Sequence, residues 1–248
     1  MYRIAVITDI HGNAHALHAV LYDLKEKAVD HIYCLGDMIR IGPFENEVLS
    51  TLFKLENISM ITGNHDEAVL ALINHEPYPN SRVRVIPHHE WIASRIEKEN
   101  IAKLEELPRH VTLKVYEKTL YFTHYPMSLE RRRAHISEDP FDLTGMPSAR
   151  NFVCMNNLKN TSLICFGHDH DIHHFSNGSA IFYNPGSLGC YNRPHARYGI
   201  IEIDKNGYRI KQQFVRYEFE GYVSSLKRLD FPRKEIVMAI YEKSEVGM

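Results

Sequence analysis

Five short apolar runs in this chain end in residues able to hold a metal ion, and this recurrence constrains the fold more than any other feature. After Ile4 to Ile7 comes "TDIHGN", after Ile32 to Leu35 "GD", after Ile58 to Ile61 "TGNHD", after Leu120 to Phe122 "THYP", and after Leu163 to Phe166 "GHDH". Runs of this length read as buried strands. Strands that close on imidazole and carboxylate groups, rather than on ordinary turn residues, predict that several strand ends face one crevice, where open α/β sheets bind ligands. Asp9 and His11 are two residues apart, as are His168 and His170, and in extended chain that spacing directs both side chains to one side. Gly36, Gly63 and Gly167 precede Asp37, Asn64 and His168, which suits tight turns and close backbone approach. A single D-x-H or G-D carries little information. The ordered set carries the argument.

Between these runs the pattern alternates. Asn13 can cap a helix with Leu17, Val20, Leu21 and Leu24 on one face, "EVLSTLFKL" continues with a second, and Glu90 to Leu107 reads as a third, with Trp91, Ile92, Ile96 and Ile101 at near-helical spacing. Val111 to Tyr116, Ala180 to Tyr183 and Ile200 to Ile203 are further strand-like segments, and the short turns among the later ones predict antiparallel pairing. Alternating helices and strands predict an α/β class with sheets covered by helices. Asn74 to Pro87 and Met127 to Asn157 show no clear period and are candidate caps or lids. The tail from Phe219 to Lys243 reads as two short helices broken at Pro232. No linker or repeat divides the chain, so residues 1–248 are expected to form a single domain.

Composition narrows the function. A net charge of -2 gives no general reason to track extended nucleic acid or an anionic membrane, and the one compact basic run, Arg131 to Arg133, reads as a solvated face. Cys34, Cys154, Cys165 and Cys190 show neither C-x-x-C spacing nor the density of a secreted scaffold, so free thiols are expected. "MYRIAVITD" lacks the features of a signal peptide, and no run reaches the roughly 18 apolar residues of a membrane span, so a cytoplasmic location is expected.

The ordered set D-x-H, G-D, G-N-H-D, a strand-terminal histidine and G-H-x-H resembles the calcineurin-like metallophosphoesterase superfamily, over Asp9 to about Gly189. "GDMIRIGPFENEV", "NPGSLG" and the "LDFPRKEIVMAIYE" tail are similar to a small single-domain prokaryotic branch with YfcE-like and diadenosine-tetraphosphatase-like members. The resemblance implies a four-layer α/β/β/α sandwich with two mixed sheets. It also implies one divalent ion on Asp9, His11 and His170, a second on Asn64, His124 and His168, and Asp37 bridging them. Imidazole, carboxylate and amide donors without thiolate suit manganese, iron or zinc. The implied reaction is hydrolysis of a phosphomonoester, phosphodiester or phosphoanhydride of a small molecule or nucleotide by a metal-bridging hydroxide, and no G-x-S-x-G or activated cysteine competes with it. The same fold also occurs in nucleases and in a retromer scaffold subunit with little activity, which are the alternative readings.

The resemblance places His65 off the metals and facing substrate, where it is expected to protonate the leaving oxygen or stabilise phosphoryl charge. Serine/threonine protein phosphatases of the superfamily carry D-R-G after their G-D, whose acid orients that histidine. Here the corresponding residues are Arg40, Ile41 and Gly42, which argues against a protein phosphatase and leaves Asp66 as a candidate orienting group. Arg40, Arg193 and Arg197 are candidate substrate-binding residues, since guanidinium pairs with phosphate oxygens in a bidentate way. Asp169 is expected to point away from its histidine neighbours. His15 and His18 belong to the first helix, and His88, His89, His173 and His174 are expected to be exposed.

Overall fold

The computed structural model describes residues 1–141, 145–155, 158 and 160–242, so 142–144, 156 and 157 of the candidate lid and Lys243 of the tail lie outside it. Two five-stranded mixed sheets form the centre. The first has the order β10-β9-β1-β2-β3, from β1 (Tyr2–Ile7), β2 (His31–Cys34), β3 (Ile58–Met60), β9 (His195–Ile203) and β10 (Tyr208–Arg216). Here β1, β2 and β3 run parallel, while β9 pairs antiparallel with both β1 and β10. The second has the order β4-β5-β6-β8-β7, from β4 (His110–Val115), β5 (Lys118–Thr123), β6 (Thr161–Cys165), β7 (Ile172–Ser176) and β8 (Ile181–Pro185). In it β5, β6 and β8 are parallel, and β4 and β7 are antiparallel edges.

The sheets pack face to face. Ile4, Val6, Leu35 and Ile61 meet Leu120, Phe122, Leu163 and Cys165 in one buried cluster, and Tyr33 stacks on Phe122 across it with ring centroids 3.9 Å apart. Continuous apolar runs at these strands follow from burial on both faces. On the outer face of the first sheet lie α1 (Ala14–Glu26), capped by the Asn13 side chain, and α2 (Glu45–Leu52), burying Leu17, Val20, Val48 and Leu49. The outer face of the second sheet is covered by Met127, Ile136, Phe141, Phe152 and Met155, together with Ala68 and Ala71 of α3 (Asn64–Ile73). The segment from Met127 thus contributes apolar anchors to an outer layer, built on short 3-10 turns at Arg131–Arg133, Ile136–Glu138 and Val153–Met155.

Two helices differ from the sequence expectation, and β7 and β10 are strands it did not include. The helix expected over Glu90 to Leu107 is two, α4 (Ile86–Ala93) and α5 (Lys98–Glu105). Asn46 of α2 accounts for the break: its amide donates to the Arg95 carbonyl at 2.8 Å and accepts from the Glu97 N–H at 2.9 Å, replacing intrahelical partners. The helix α3 follows directly on β3 and was not expected. Asp66, at its third position, accepts from the Gly63 N–H at 2.9 Å, which is half of a capping box. The tail does form two helices, α6 (Phe219–Arg228) and α7 (Lys234–Glu242), with Pro232 between them. Among the described residues no helix is long and apolar enough to cross a membrane.

Candidate metal centre

The carboxyl ends of β1, β2, β3, β5 and β6 converge, and with them all seven expected donor residues. Asp9 N–H donates to the Gly36 carbonyl at 3.1 Å, His11 N–H to Asp37 at 3.0 Å, and Gly167 N–H to His124 at 2.8 Å, so the strand-end loops are stitched to one another. Close approach demands glycine at two points. A Cβ on Gly63 would stand 2.2 Å from Asp37 Oδ1, and one on Gly167 would stand 2.0 Å from Thr8 Oγ1.

The backbone at the donors is not extended. Asp9, His11, Asp37, His168 and His170 have φ between 50° and 70°, in the left-handed region. This corrects the expectation that alternate residues of extended chain bring the pairs together. Side chains of L-residues reach this region at a cost of about 1–3 kcal/mol each, which the interlocking loops must sustain. Left-handed residues curl the chain at the strand ends, so the donors turn into the gap between the sheets.

The donor atoms form two groups. In the first, His11 Nε2 lies 2.8 Å from His170 Nε2 and 3.7 Å from Asp9 Oδ1, and His170 Nε2 lies 3.5 Å from the same oxygen. In the second, Asn64 Oδ1 lies 3.0 Å from His124 Nε2 and 2.6 Å from His168 Nδ1. Asp37 stands between them, its Oδ2 3.9 Å from His11 Nε2 and 3.5 Å from His124 Nε2, while its Oδ1 accepts the His65 N–H at 2.9 Å. Asp9, His11 and His170 on one side, and Asp37, His124 and His168 on the other, could each hold a metal ion.

Outer contacts orient these groups. His11 Nδ1–H donates to the Ile39 carbonyl at 3.2 Å and His124 Nδ1–H to Leu35 at 2.7 Å, which turns the Nε2 atom of each ring toward the centre. Thr8 Oγ1 and the His168 N–H donate to the Asp9 carboxylate. Asn64 gives a test of fit. Its oxygen faces two imidazole nitrogens, whereas the reversed amide would donate to both and accept from His65 and Arg82. The oxygen-inward orientation is the one a cation between these atoms would select, so the donor set fits a metal ion.

The electrostatics agree. Burial pushes the Asp9 carboxyl up, with His170 and His124 opposing. Burial acts likewise on Asp37, but His124, His65 and His11 outweigh it and hold that carboxyl well below the ordinary range. Burial holds His11 well down, and brings His168 to about 3 with help from His124. It opposes charge on His124 too, yet Asp37 and Asp9 prevail and bring that ring up to about 9. Two buried carboxylates therefore draw positive charge into a centre otherwise hostile to it.

Above the donors opens a cavity of about 280 Å³, lined by Asp37, Arg40, His65, Arg82, Arg84 and His170 among others. A larger apolar groove of about 540 Å³ runs along α1 beside Leu21, Leu24 and Leu55, but among the described residues no comparable donors converge there. Of the three arginines singled out in the sequence, Arg40 lines the cavity, with a φ of 120°. Arg197 is buried beneath it, stacked 3.8 Å from the Tyr191 ring centre and donating to the carbonyls of Ser187 at 3.2 Å and His170 at 2.7 Å. Arg193 is not among the lining residues. Arg82 and Arg84 line the cavity and went unnoticed because "NSRVRV" has no recognisable motif.

Three histidine expectations change. His88 and His89, expected at the surface, are 2% and 0% exposed, because α4 turns them inward. The His88 ring nitrogens face the carbonyls of Arg40 and Pro232, and the ring stacks on Trp91. His89 Nε2 lies 3.1 Å from His65 Nδ1. His173 is half-buried against Asp169, which points away from the donors, while His174 is exposed as expected. Asp66 does not contact the His65 ring; its oxygens accept the N–H groups of Met38 at 3.0 Å, Ile39 at 3.3 Å and Gly63.

Comparison with known proteins agrees with this geometry. Residues 2–206 match the profile of the calcineurin-like phosphoesterase superfamily domain. An uncharacterised protein of Methanocaldococcus jannaschii is 35% identical over 121 residues, which cover 49% of this chain and 48% of that protein, so the match spans about half of the curated relative. A metallophosphoesterase structure from Sphaerobacter thermophilus superposes with a TM-score of 0.71 at 23% identity, covering 96% of this chain and 98% of its own. A hypothetical protein from Pyrococcus horikoshii gives 0.74 at 20% identity, covering 97% and 98%. At such identities these two structures establish a shared fold alone.

Proposed function

The chain belongs to the calcineurin-like phosphoesterase superfamily, and from that premise we propose that it is a two-cation phosphoesterase acting on a phosphate ester or phosphoanhydride of a small molecule or nucleotide. Asp9, His11 and His170 hold one cation, Asn64, His124 and His168 the other, and Asp37 serves both. The single observation that carries this reading is the convergence of these seven donors from the ends of five strands in two sheets. Nitrogen and oxygen donors without thiolate suit manganese, iron or zinc. When bound, such ions polarise phosphoryl oxygen and lower the pKa of water.

The chain's own groups complete the site. Arg40, Arg82 and Arg84 face the cavity and bind phosphate oxygens, with Arg82 rather than Arg193 or Arg197 beside Asn64. His65 presents Nε2 toward the same space, 3.2 Å from the outer atom of the Asn64 amide, where it protonates the leaving oxygen or stabilises charge on the phosphoryl group. The volume is below that of sites for drug-sized ligands, which supports recognition of a phosphate and its immediate substituent rather than a long polymer. Four free cysteines support residence in a reducing compartment such as the cytoplasm.

The test is hydrolysis of aryl phosphomonoesters, aryl phosphodiesters and dinucleoside polyphosphates, with and without added manganese or zinc. The wild type is expected to turn over at least one class in a metal-stimulated way that Asp37→Ala abolishes. Equal background rates in both proteins, with metal bound to the wild type, would contradict the reading and favour a scaffold.

A further inference from the structure

We propose that Ser187 and Arg197 are positioning residues for one cation only: they clasp the left-handed backbone of Asp9 and His170, and so set the affinity of the first site (Asp9, His11, His170) independently of the second. This inference rests on the two-cation reading. Ser187 follows β8 of the second sheet, and Arg197 lies within β9 of the first. The Ser187 hydroxyl donates to the Asp9 carbonyl at 2.7 Å, and the Ser187 N–H donates to the His170 carbonyl at 2.9 Å. Arg197 Nη2 donates to the same His170 carbonyl at 2.7 Å, and its Nε to the Ser187 carbonyl at 3.2 Å. The Gly189 N–H gives the Asp9 carbonyl a second donor at 3.1 Å. One serine and one guanidinium thus join, by their main chain, a donor that follows a strand of the first sheet to one that follows a strand of the second.

The clasp acts where the backbone most needs it. Asp9 and His170 have φ of 53° and 66°, and such residues persist only where the surrounding structure holds them. Two donors on each carbonyl fix the peptide plane that follows, and at Asp9 the preceding plane is fixed as well, by the N–H donated to Gly36. Turning either carbonyl away would swing its side chain out of the centre. Ser187 and Arg197 are 0% and 4% exposed, so bulk water does not stand in for a lost donor. His170 depends on the clasp most. The rings of His11 and His124 are each steered by a backbone carbonyl, whereas His170 has the Cys190 thiol as its side-chain partner. The Cys190 N–H donates to Ser187 Oγ at 2.8 Å, so the same serine also places the thiol.

The second site is supported differently. Asn64 opens α3 and His124 follows β5, and among the described residues neither Ser187 nor Arg197 is hydrogen-bonded to Asn64, His124 or His168. The Arg197 guanidinium spends its donors on two carbonyls and its face on the Tyr191 ring, so its planar fork holds main chain in place.

The test reads manganese binding to the full-length chain, not turnover. Calorimetry gives the affinities, EPR separates a coupled pair of ions from isolated ones, and anomalous peaks from crystals at sub-saturating manganese show which site is empty. Ser187→Ala removes one hydroxyl. Arg197→Lys keeps the positive charge and loses the fork, which separates geometry from electrostatics. Each should weaken the first site by roughly 10- to 100-fold, the scale of losing an outer contact to a metal ligand, and leave the second at its wild-type affinity. The coupled EPR signal should then give way to that of isolated ions, with the remaining peak beside Asn64, His124 and His168. Tyr183→Phe removes another buried hydrogen bond between the two sheets, to Gln212 at 2.9 Å, and should lower thermal stability with both affinities unchanged. Weakening of both sites together, weakening of neither, or the same loss in Tyr183→Phe would reduce Ser187 and Arg197 to structural residues and overturn the proposal. If one of the two variants fails to fold, the other decides by the same criteria. If the wild type itself takes up no coupled pair, the two-cation reading fails and the proposal with it, whereas a pair retained unchanged in every variant overturns the proposal alone.

Discussion

The floor and the rim of the cavity are built from different kinds of chain. On the floor, the donors Asp9, Asp37, Asn64, His124 and His168 each follow closely on a strand whose neighbours form the buried core between two sheets. On the rim, Arg82 and Arg84 lie in a 3-10 turn at Asn80–Val85 between α3 and α4, with Tyr78 and His89 packed behind them, and Arg40 sits on a loop in contact with His88. The floor is thus joined to the buried core between the two sheets, where left-handed backbone is sustained at several positions at once. The rim is a loop and a short helix on a rigid scaffold, the arrangement that lets specificity change without disturbing the fold.

This contrast can be broken at the floor first. Asp37→Ala removes the carboxylate shared by both donor groups and should cost more than the 10- to 100-fold in metal affinity that outer partners typically cost, with loss of detectable turnover. Metal titration followed by calorimetry checks it. An unchanged affinity would separate the two donor groups and refute a shared centre.

The rim should respond less, and differently. Arg40→Met and Arg82→Met each remove a charged donor facing the cavity and should lower kcat/KM by roughly 10- to 100-fold, from the 1.5–3 kcal/mol typical of hydrogen bonds to charged groups, with metal content intact. Arg84 is exposed, so solvent screening should hold Arg84→Met to about 1 kcal/mol or less, a factor of about five. Loss of metal in the Arg40 variant would show that floor and rim are not separable.

Two smaller effects sharpen the boundary. Asp66→Asn takes one acceptor oxygen from a buried group that serves three backbone N–H donors, and should destabilise the fold by about 1–3 kcal/mol in chemical denaturation. His174→Ala, at an exposed strand position, should stay within about 0.5 kcal/mol of the wild type and leave both metal content and rate unchanged.

The same contrast explains what could be read from the sequence. The floor was legible because each donor follows an apolar strand, so that order along the chain mirrors position in the sheets. Its backbone was not legible: alternate spacing suggested extended chain, whereas tertiary contacts between neighbouring loops stabilise left-handed residues at Asp9, His11, His168 and His170. The rim was mostly illegible. His88 and His89 looked like polar residues after a proline, and only the packing of α4 against Arg40, His65 and the tail buries them. Nothing local marks Arg82 as a neighbour of Asn64. The divided helix at Ser94 to Glu97 had the same cause, since the signal lies in Asn46, about fifty residues away.

The central claim is that seven side chains from distant parts of the chain enclose a pair of cations. Anomalous diffraction from crystals soaked in manganese, with data near the manganese absorption edge, tests it directly. The account expects two peaks about 3.5–4 Å apart, one beside Asp9, His11 and His170, the other beside Asn64, His124 and His168, with Asp37 between. No peak in that space at saturating manganese, with the side chains placed as described, would contradict it.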